Sequence, residues 1–338
     1  MSEPRYVITG ATGFIGGHLI RSLSERKEPA LLLSRRPPAS LPGGFAWIRW
    51  EAGSPTTLAS LAPTACVIHL AAHHHVEHPT PAQDQLCVAI NFNGTRQLLA
   101  DCSAAGLRRF IYFSTIKAAP PAADSRPRRE SDPEEIPPNT AYGRSKLAAE
   151  NAVRAWAAES PDRSALILRP AVVYGPQSVA NIYLLMRAIA RRRFLLAGSN
   201  ANIKSVVSVR NLVAATLFLA QRQKSGTDSY YLIDRDNYSV REFAALISTS
   251  LGINRRIPTL PIPVLRPIAV LGDALARITG IQFPLTTRRL NALLEHSAFT
   301  AEKLCRTGFD HPQSTREGLE EMAAWIRTQS PAPPRPSK

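Results

Sequence analysis

The sequence predicts an α/β protein, with a doubly wound parallel sheet followed by a smaller C-terminal lobe. Three observations support this fold class. Short apolar runs alternate with amphipathic stretches through the first 170 residues, a glycine-rich turn follows the first run, and 338 residues suffice for two lobes. We expect the sheet domain over residues 1–170, the second lobe over 171–328 with some segments returning to the sheet, and a disordered tail over 329–338.

The first apolar runs are short and rich in β-branched and aromatic residues, which is typical of buried strands. Amphipathic stretches lie between most of them, and this spacing indicates parallel strands covered by helices on both faces. The predicted strands are Tyr6–Thr9, Ala30–Leu33, Ala46–Trp50, Cys66–Leu70, Arg109–Ser114 and Ala165–Leu168, and the predicted helices between them are Phe14–Lys27, Gln83–Ala105 and Ala141–Glu159.

The pattern loosens after Pro170, where helical periodicity dominates. The proline-rich segment from Pro120 to Pro138 predicts a surface loop. The segment 257–280 is the most apolar late stretch; we interpret it as a packing helix, with peripheral membrane contact as the alternative. The later predicted helices are Ile182–Arg193, Asn211–Arg222, Val240–Leu251, Val264–Ile278 and Ser314–Arg327.

The composition is ordinary for a globular protein except for its charge of +15. Only seven of the 41 basic residues are lysines, and the arginines are scattered apart from short runs such as Arg191–Arg193. Without a nucleic-acid-binding motif, this distribution argues against a nucleic-acid partner. We expect no signal peptide, no membrane-spanning helix, four free cysteines and a cytoplasmic location.

The turn TGATGFIGG directly follows the first predicted strand, with Gly10, Gly13 and Gly16 spaced as GxxGxxG. Glycine permits the tight turn, the close approach of a pyrophosphate and the close packing of helix on strand. The following helix N-terminus favours anions. This context predicts a Rossmann-type dinucleotide site, whose contacts we place at Gly10, Thr12, Gly13, Phe14, Ile15 and Gly16.

The second predicted strand ends in Ser34, Arg35 and Arg36, where an NAD-preferring fold usually carries an acidic residue. Guanidinium groups pair with a 2′-phosphate, whereas a carboxylate repels it. Arg35 and Arg36 therefore favour NADP(H) over NAD(H), unless both are solvated surface charges.

The sequence YGRSK places Tyr142 and Lys146 four residues apart at the start of a predicted helix. An ammonium group near a phenol lowers the phenol pKa, so the pair can transfer a proton near neutral pH. Upstream, Ser114 and Thr115 end the fifth predicted strand and offer hydroxyl groups. The pair alone is weak evidence, but the order of these motifs predicts a hydride-transfer site.

The chain resembles the extended short-chain dehydrogenase/reductases, in particular the NAD-dependent epimerase/dehydratase branch. The resemblance spans about residues 5 to 327. The motifs that carry it are TGATGFIG (9–16), HLAA (69–72), NFNGT (91–95), FST (113–115), YGRSK (142–146), LRPAVVYGP (168–176), SVVSVRNL (205–212) and the tail from FTAEKL (299–304) to residue 325.

The resemblance implies roles for particular residues. Tyr142 is the acid/base, Lys146 holds the nicotinamide ribose and lowers the pKa of Tyr142, and Thr115 binds the same substrate oxygen. The further implied cofactor contacts are Leu70, Ala71, Ala72, Asn91, Ser114 and Pro170. The implied substrate contacts are Thr115, Tyr174, Lys204 and Arg289, and we also expect substrate contacts at Asn181 and, from the position of their loop, at His74 and His75.

The substrate is less determined than the chemistry. We expect oxidation or reduction at C4 of a nucleotide-diphosphate sugar, as a 4-keto reductase or a 4-epimerase. Pro170, Ala171 and Val172 follow Arg169 where sugar-nucleotide relatives often have an asparagine, which leaves a 3β-hydroxysteroid dehydrogenase-like enzyme as the alternative. A non-catalytic NADP(H) sensor is a third hypothesis, and a homodimer is expected by resemblance.

Five of the eight histidines lie in HLAAHHHVEH, residues 69–78. We expect His69 to pack and hydrogen-bond beside the cofactor. His74 and His75 follow a strand end, where neighbouring side chains diverge, so we expect no metal site and interpret them as part of a substrate-facing loop. Lys117 has no assigned role.

Overall fold

The computed structural model describes residues 3–73, 80–119, 126–133, 137–253, 255–279 and 285–329, with the side chains of 277–279 excepted. Residues 120–125 and 134–136 of the predicted loop 120–138, His74, His75 and residues 330–338 of the tail lie outside the described residues.

The central feature is a seven-stranded sheet in which every neighbouring pair runs parallel. The strand order is β11-β6-β5-β4-β1-β2-β3, so the chain reverses its direction of winding between β1 and β4. The strands are β1 (Tyr6–Thr9), β2 (Ala30–Ser34), β3 (Phe45–Arg49), β4 (Cys66–His69), β5 (Arg109–Phe113), β6 (Ser164–Pro170) and β11 (Gly226–Leu232). The predicted fold class is confirmed, and all six predicted strands are present.

Helices cover both faces of this sheet because alternate residues of each strand are apolar on opposite sides. Val7 and Ile8, neighbours in β1, belong to the two different cores. The helices of this part are α1 (Phe14–Glu25), α2 (Pro81–Leu86), α3 (Gly94–Ala104), α4 (Ala141–Ala158) and α6 (Val209–Gln221).

The helix predicted over 83–105 is divided into α2, a π-helical segment Cys87–Asn93, and α3. A capping box between Thr80 and Gln83 fixes the start of α2. The π-helical segment widens the helix around Asn91, whose side chain contacts the loop after β4. Sequence periodicity did not predict this wider turn, because its cause is a contact with a distant segment.

The second lobe has its own core, formed by α5 (Asn181–Ala190), α7 (Val240–Ser250) and α11 (Thr315–Thr328). Its short strands are β7 (Val172–Tyr174), β8 (Leu196–Ala197), β9 (Ile203–Lys204), β10 (Val206–Ser208), β12 (Tyr238–Ser239) and β13 (Thr259–Leu260). Its remaining helices are α8 (Ile262–Thr279) and α9 (Thr287–Leu294). The short α10 (Glu302–Arg306) returns to the main sheet, where Leu304 joins its core and Lys303 pairs with Asp228 of β11. Within the described residues, no helix is both long and apolar enough to cross a bilayer, and all four cysteines are free.

Candidate active site

The carboxyl ends of β1 and β4 form the crevice at which the strand order reverses, the usual ligand position in open α/β sheets. The glycine turn lies here. Gly10 has a φ of +68°, and a Cβ on it would lie 2.7 Å from the Ala71 backbone nitrogen. A Cβ on Gly16 would lie 2.4 Å from the Gly10 carbonyl oxygen. Both positions therefore require glycine.

The same turn has the features of a pyrophosphate cradle. Gly13 is the N-cap of α1, so no side chain caps this helix, and its first turn contains no acidic residue. Thr12 and Gly13 are exposed, and Phe14 and Ile15 are partly exposed beside them. An uncapped helix N-terminus beside exposed glycine fits the pyrophosphate of a dinucleotide.

A buried polar chain holds the loop after β4 against this turn. The Thr9 hydroxyl lies 2.6 Å from His69 Nδ1 and accepts a hydrogen bond from the Ala71 backbone at 3.1 Å. His69 Nε2 lies 3.0 Å from the Thr95 hydroxyl, which donates to the Asn91 carbonyl. Burial lowers the pKa of His69 to about 3, with a smaller contribution from Lys146. His69 is therefore a neutral packing residue.

Asn91 continues the chain toward α4. Its Oδ1 accepts from the His73 backbone at 2.7 Å, and its Nδ2 donates to the His73 carbonyl and to Ser145. Because Ser145 belongs to α4, Asn91 connects the loop after β4 (with Leu70, Ala71 and Ala72 partly exposed) to the helix that carries Tyr142 and Lys146.

Tyr142, Lys146 and Thr115 converge at the ends of β5 and α4. Thr140 caps α4, so Tyr142 lies in its first turn. Lys146 is 2% exposed, and its Nζ donates to the Phe113 carbonyl at 2.7 Å. Thr115, also buried, hydrogen-bonds the side chain of Tyr142. The structure therefore brings the three residues together.

The protonation states differ from the sequence expectation. Burial raises the pKa of Tyr142 to about 12, and its hydrogen bond with Thr115 acts in the opposite direction. Burial lowers the pKa of Lys146 to about 7, against the attraction of Glu150. In this arrangement desolvation dominates the pKa of both groups, and Lys146 is not among the groups that shift the pKa of Tyr142. That Lys146 lowers the Tyr142 pKa therefore stays a prediction. Tyr142 is a protonated phenol at neutral pH.

A buried ion cluster that the sequence analysis missed lies beneath these residues. Arg169 donates to Glu150 Oε1 at 2.9 Å and to Oε2 at 2.6 Å, and both side chains are essentially inaccessible to solvent. Ser114 donates to the same carboxylate at 2.5 Å, and Arg154 donates to it at 3.0 Å. The Ser114 hydroxyl is thus engaged by Glu150. The signal was present: Glu150 is four residues after Lys146, on the same face of α4.

Tyr174 does not face an open site, which corrects the expectation that it contacts substrate. It is fully buried, and its hydroxyl donates to Asp234 at 2.8 Å. Asp234 also accepts from the Ser208 backbone, Asn211 and Thr315. Tyr174 therefore packs within the core of the second lobe. Asp234 supplies the hydrogen-bond acceptor that a buried phenol requires.

The other predicted substrate residues lie in the second lobe. Asn181 is exposed at the start of α5. Lys204 forms an ion pair with Glu295 at 3.2 Å. Arg289 is exposed in α9, and the helical rise places it roughly 9 Å from Glu295 along the helix axis. Lys204 is thus already neutralised by a carboxylate. Pro170 ends β6 and is buried.

Arg35 and Arg36 are exposed just after β2, next to the glycine turn, because β1 and β2 are parallel neighbours. The β2–β3 register adds a third arginine, since Ser34 pairs with the exposed Arg49. Ser34 itself accepts from the Trp47 indole and donates to the Arg36 carbonyl, which fixes the strand end.

Comparisons with known proteins agree with this geometry. Residues 6–233 match the model of the NAD dependent epimerase/dehydratase family. The chain is 30% identical over 267 residues to N-acetyl-alpha-D-glucosaminyl-diphospho-ditrans,octacis-undecaprenol 4-epimerase of Escherichia coli O157:H7, covering 77% of each. It is 28% identical to UDP-glucose 4-epimerase of Vibrio cholerae over 94% of each, and 29% identical to ceramide reductase of Caulobacter vibrioides over 81% of this chain and 78% of the relative.

Among solved structures, MoeE5 in complex with UDP-glucose and NAD superposes with a TM-score of 0.73 and 25% identity, covering 96% of this chain and 98% of the other. UDP-glucuronic acid 4-epimerase from Bacillus cereus in complex with NAD has the same fold, with a TM-score of 0.71 over 96% of this chain and 98% of the other at 19% identity.

Proposed function

The chain belongs to the NAD dependent epimerase/dehydratase family and is an enzyme; from this premise we propose that it oxidises or reduces C4 of a nucleotide-diphosphate sugar. The observation that carries the proposal is the convergence of Tyr142, Thr115 and Lys146 beside the β1/β4 crevice. Family membership removes the motivation for a non-catalytic sensor.

The protonated Tyr142 suits the reductive direction. A phenol with a pKa of about 12 donates a proton to the oxygen of a C4 ketone as that oxygen gains negative charge. The Thr115 hydroxyl donates a hydrogen bond to the same oxygen. Lys146, whose pKa is lowered to about 7, exchanges its own proton near neutral pH. When bound, the nicotinamide cofactor supplies or accepts the hydride.

The sugar-diphosphate class is supported by the Escherichia coli and Vibrio cholerae relatives, which are both named as 4-epimerases of a sugar linked through diphosphate. The basic side chains of Lys204 and Arg289 suit a diphosphate, although Glu295 competes for Lys204. Nucleotide carriers are our first choice, because MoeE5 binds UDP-glucose and aligns over nearly the whole chain.

The test is a screen of UDP-, GDP- and dTDP-sugars and their 4-keto forms. NADPH or NADH consumption identifies a reductase, and product inversion without added cofactor identifies an epimerase. We expect Tyr142→Phe to lower kcat by about 10²–10⁴-fold with little change in cofactor binding. Tyr183→Phe removes a hydroxyl within the second lobe and is the matched control. Full activity of Tyr142→Phe overturns the proposed acid/base.

We also propose that NADP(H) is preferred over NAD(H), because three arginines surround the end of β2. Replacing Arg35 and Arg36 by serine should weaken NADPH binding roughly tenfold, since a charge-assisted pair contributes about 1.5–3 kcal/mol. NADH affinity should not change. Equal affinity of the wild-type protein for the two cofactors contradicts this proposal.

A second candidate is reduction of an apolar ketone, as in hydroxysteroid dehydrogenase-like relatives. The observation that favours it is the similarity to a ceramide reductase, together with the apolar character of the segment 257–280. Turnover of steroid or long-chain keto substrates, with none of the sugar nucleotides, selects this candidate.

We further propose a homodimer that pairs α2–α3 and α4 of two copies. Leu86 and Val88, on the α2 side, are 44% and 46% exposed. Light scattering on the wild-type protein and a Leu86→Glu/Val88→Glu variant tests this, since charges at the centre of such an interface should produce a monomer.

A further inference from the structure

The helix α8 has an apolar surface on both sides. Its inner side packs Leu265 and Ala269 against Ala197 of β8 and Leu290 of α9. Its outer side leaves aliphatic side chains in solvent rather than the charged residues that are usual on an exposed helix face. The exposed fractions are 48% for Val264, 45% for Ile268, 60% for Val270 and 60% for Leu271.

Few polar groups interrupt this outer face. Pro263 and Pro267 are exposed on it and have no backbone N–H. Arg266 is its exposed charge, and its long side chain can lie along an apolar surface while the guanidinium stays polar. The only acidic residue of α8, Asp273, accepts a hydrogen bond from the Thr287 backbone and so contacts α9.

Two clusters of exposed arginines precede the strands of the ribbon that leads into α8. Arg255 and Arg256 precede β13, which leads directly into α8, and Arg191–Arg193 precede β8. Because β8 and β13 pair in parallel, with Leu196 opposite Thr259, both clusters enter this ribbon at the same end. The segments 191–198 and 255–262 contain no acidic residue. The ribbon that leads into the aliphatic helix thus carries five exposed arginines where its strands begin.

We propose that the outer face of α8 docks on an anionic membrane surface. Aliphatic side chains and prolines enter the boundary between headgroups and acyl chains, while the arginines of the ribbon pair with lipid phosphates. The helix is about 27 Å long by its 18 residues, and it lies along the surface rather than across the bilayer.

Charge complementarity favours a membrane over a second copy of this chain. A two-fold interface places the same patch on both subunits, and the segments 191–198 and 255–262 supply no acidic residue to pair with the partner's arginines. An anionic bilayer instead offers apolar depth and opposite charge to one molecule. The net charge of +15 over the whole chain also favours attraction to an anionic membrane.

The test is cosedimentation of the purified full chain with vesicles of phosphatidylcholine alone or with about a third phosphatidylglycerol. We expect binding to the anionic vesicles that weakens with salt, and little binding to neutral ones. Val270→Glu/Leu271→Glu should reduce binding at least about tenfold, because it places two charges in the docked face. Arg255→Glu/Arg256→Glu should reduce it by a similar factor.

The matched control for Val270→Glu/Leu271→Glu is Leu41→Glu/Ile48→Glu, which lowers the net charge by the same amount as that variant. Leu41 and Ile48 lie outside α8 and are 47% and 40% exposed. This control should retain most of the binding. Equal losses in control and α8 variants overturn the proposal, because general charge then explains attraction.

A second measurement does not depend on how the charged variants fold. In Leu271→Trp, brominated lipids should quench the fluorescence of the added tryptophan, measured against the wild-type protein with its four tryptophans. No added quenching overturns the proposal. Absence of vesicle binding by the wild-type protein also overturns it. If the α8 variants in addition lose a dimer that the wild-type protein forms, the outer face of α8 belongs to an interface with a second copy. Neither readout requires turnover, so failure of the proposed reaction leaves this inference separately testable.

Discussion

The crevice of the main sheet and the outer face of α8 differ in which kind of side chain is buried and which is exposed. In the crevice, polar groups such as Glu150, Arg169 and His69 are buried, and each has protein partners that fix its position. On α8, Val270 and Leu271 are apolar and exposed. The difference teaches that the first region is ordered by contacts within the chain, whereas the second is built for a contact outside it. Substitutions should therefore affect folding in the first and association in the second.

The largest effect should come from Glu150→Ala. It leaves Arg169 buried without its carboxylate, and removing one member of a buried pair costs about 3–5 kcal/mol. Urea denaturation measures the loss. Glu159→Ala is the control, because its pair with Arg163 involves a carboxylate that is 62% exposed and should contribute less than about 1 kcal/mol. Equal losses would show that the buried cluster does not stabilise the site.

The next effect concerns pH. Burial lowers the pKa of Lys146 to about 7, whereas a lysine in the unfolded chain titrates near 10.5. Between these pH values the unfolded chain binds more protons, so this group makes stability rise with pH and its penalty is greatest below pH 7. Between pH 7 and pH 9 the titration of Lys146 should raise the free energy of unfolding of the cofactor-free protein by about 2 kcal/mol. A difference of one bound proton changes this free energy by up to about 1.4 kcal/mol per pH unit.

Denaturation of wild-type protein and Lys146→Met at several pH values isolates this contribution, which the variant should lack. Lys224→Met removes an exposed lysine and should follow the wild-type curve. Parallel curves for wild-type protein and Lys146→Met would mean that Lys146 remains charged in the folded protein.

A smaller effect is expected for Tyr174→Phe. The change removes one donor from the buried Asp234, which retains three others, so about 1–2 kcal/mol of stability should be lost. Thermal unfolding measures this loss, and the KM for substrate should stay unchanged. A raised KM with unchanged stability would return Tyr174 to the substrate site.

The smallest effect should be that of Leu271→Ala, within about 0.5 kcal/mol, because the side chain is 60% exposed. Leu265→Ala, on the inner side of the same helix, should lose about 2–5 kcal/mol. Chemical denaturation of the two variants compares them directly. A large loss of stability in Leu271→Ala would mean that the outer face of α8 is covered within the protein, and this face would then not differ from the crevice in that respect.

Sequence alone predicted the sheet, the glycine turn and the chemistry-bearing hydroxyl and amine groups. Strand runs, glycine spacing and the Tyr142/Lys146 interval are local patterns, and each element they predicted is present, with helix ends shifted by a few residues. Local periodicity could not predict the π-helical segment or β11, since a distant loop shapes the first and an edge position in the sheet defines the second.

The sequence by itself determined the tight turn and the helix N-terminus at the edge of the sheet, because both follow from glycine spacing next to a strand. Only the tertiary structure decided the protonation states of the side chains beside this turn. Desolvation, which depends on everything packed around a group, keeps Tyr142 protonated and lowers the pKa of Lys146. The tertiary structure likewise buries Tyr174 and leaves the aliphatic face of α8 in solvent, since burial is a property of the assembled fold and not of any short segment.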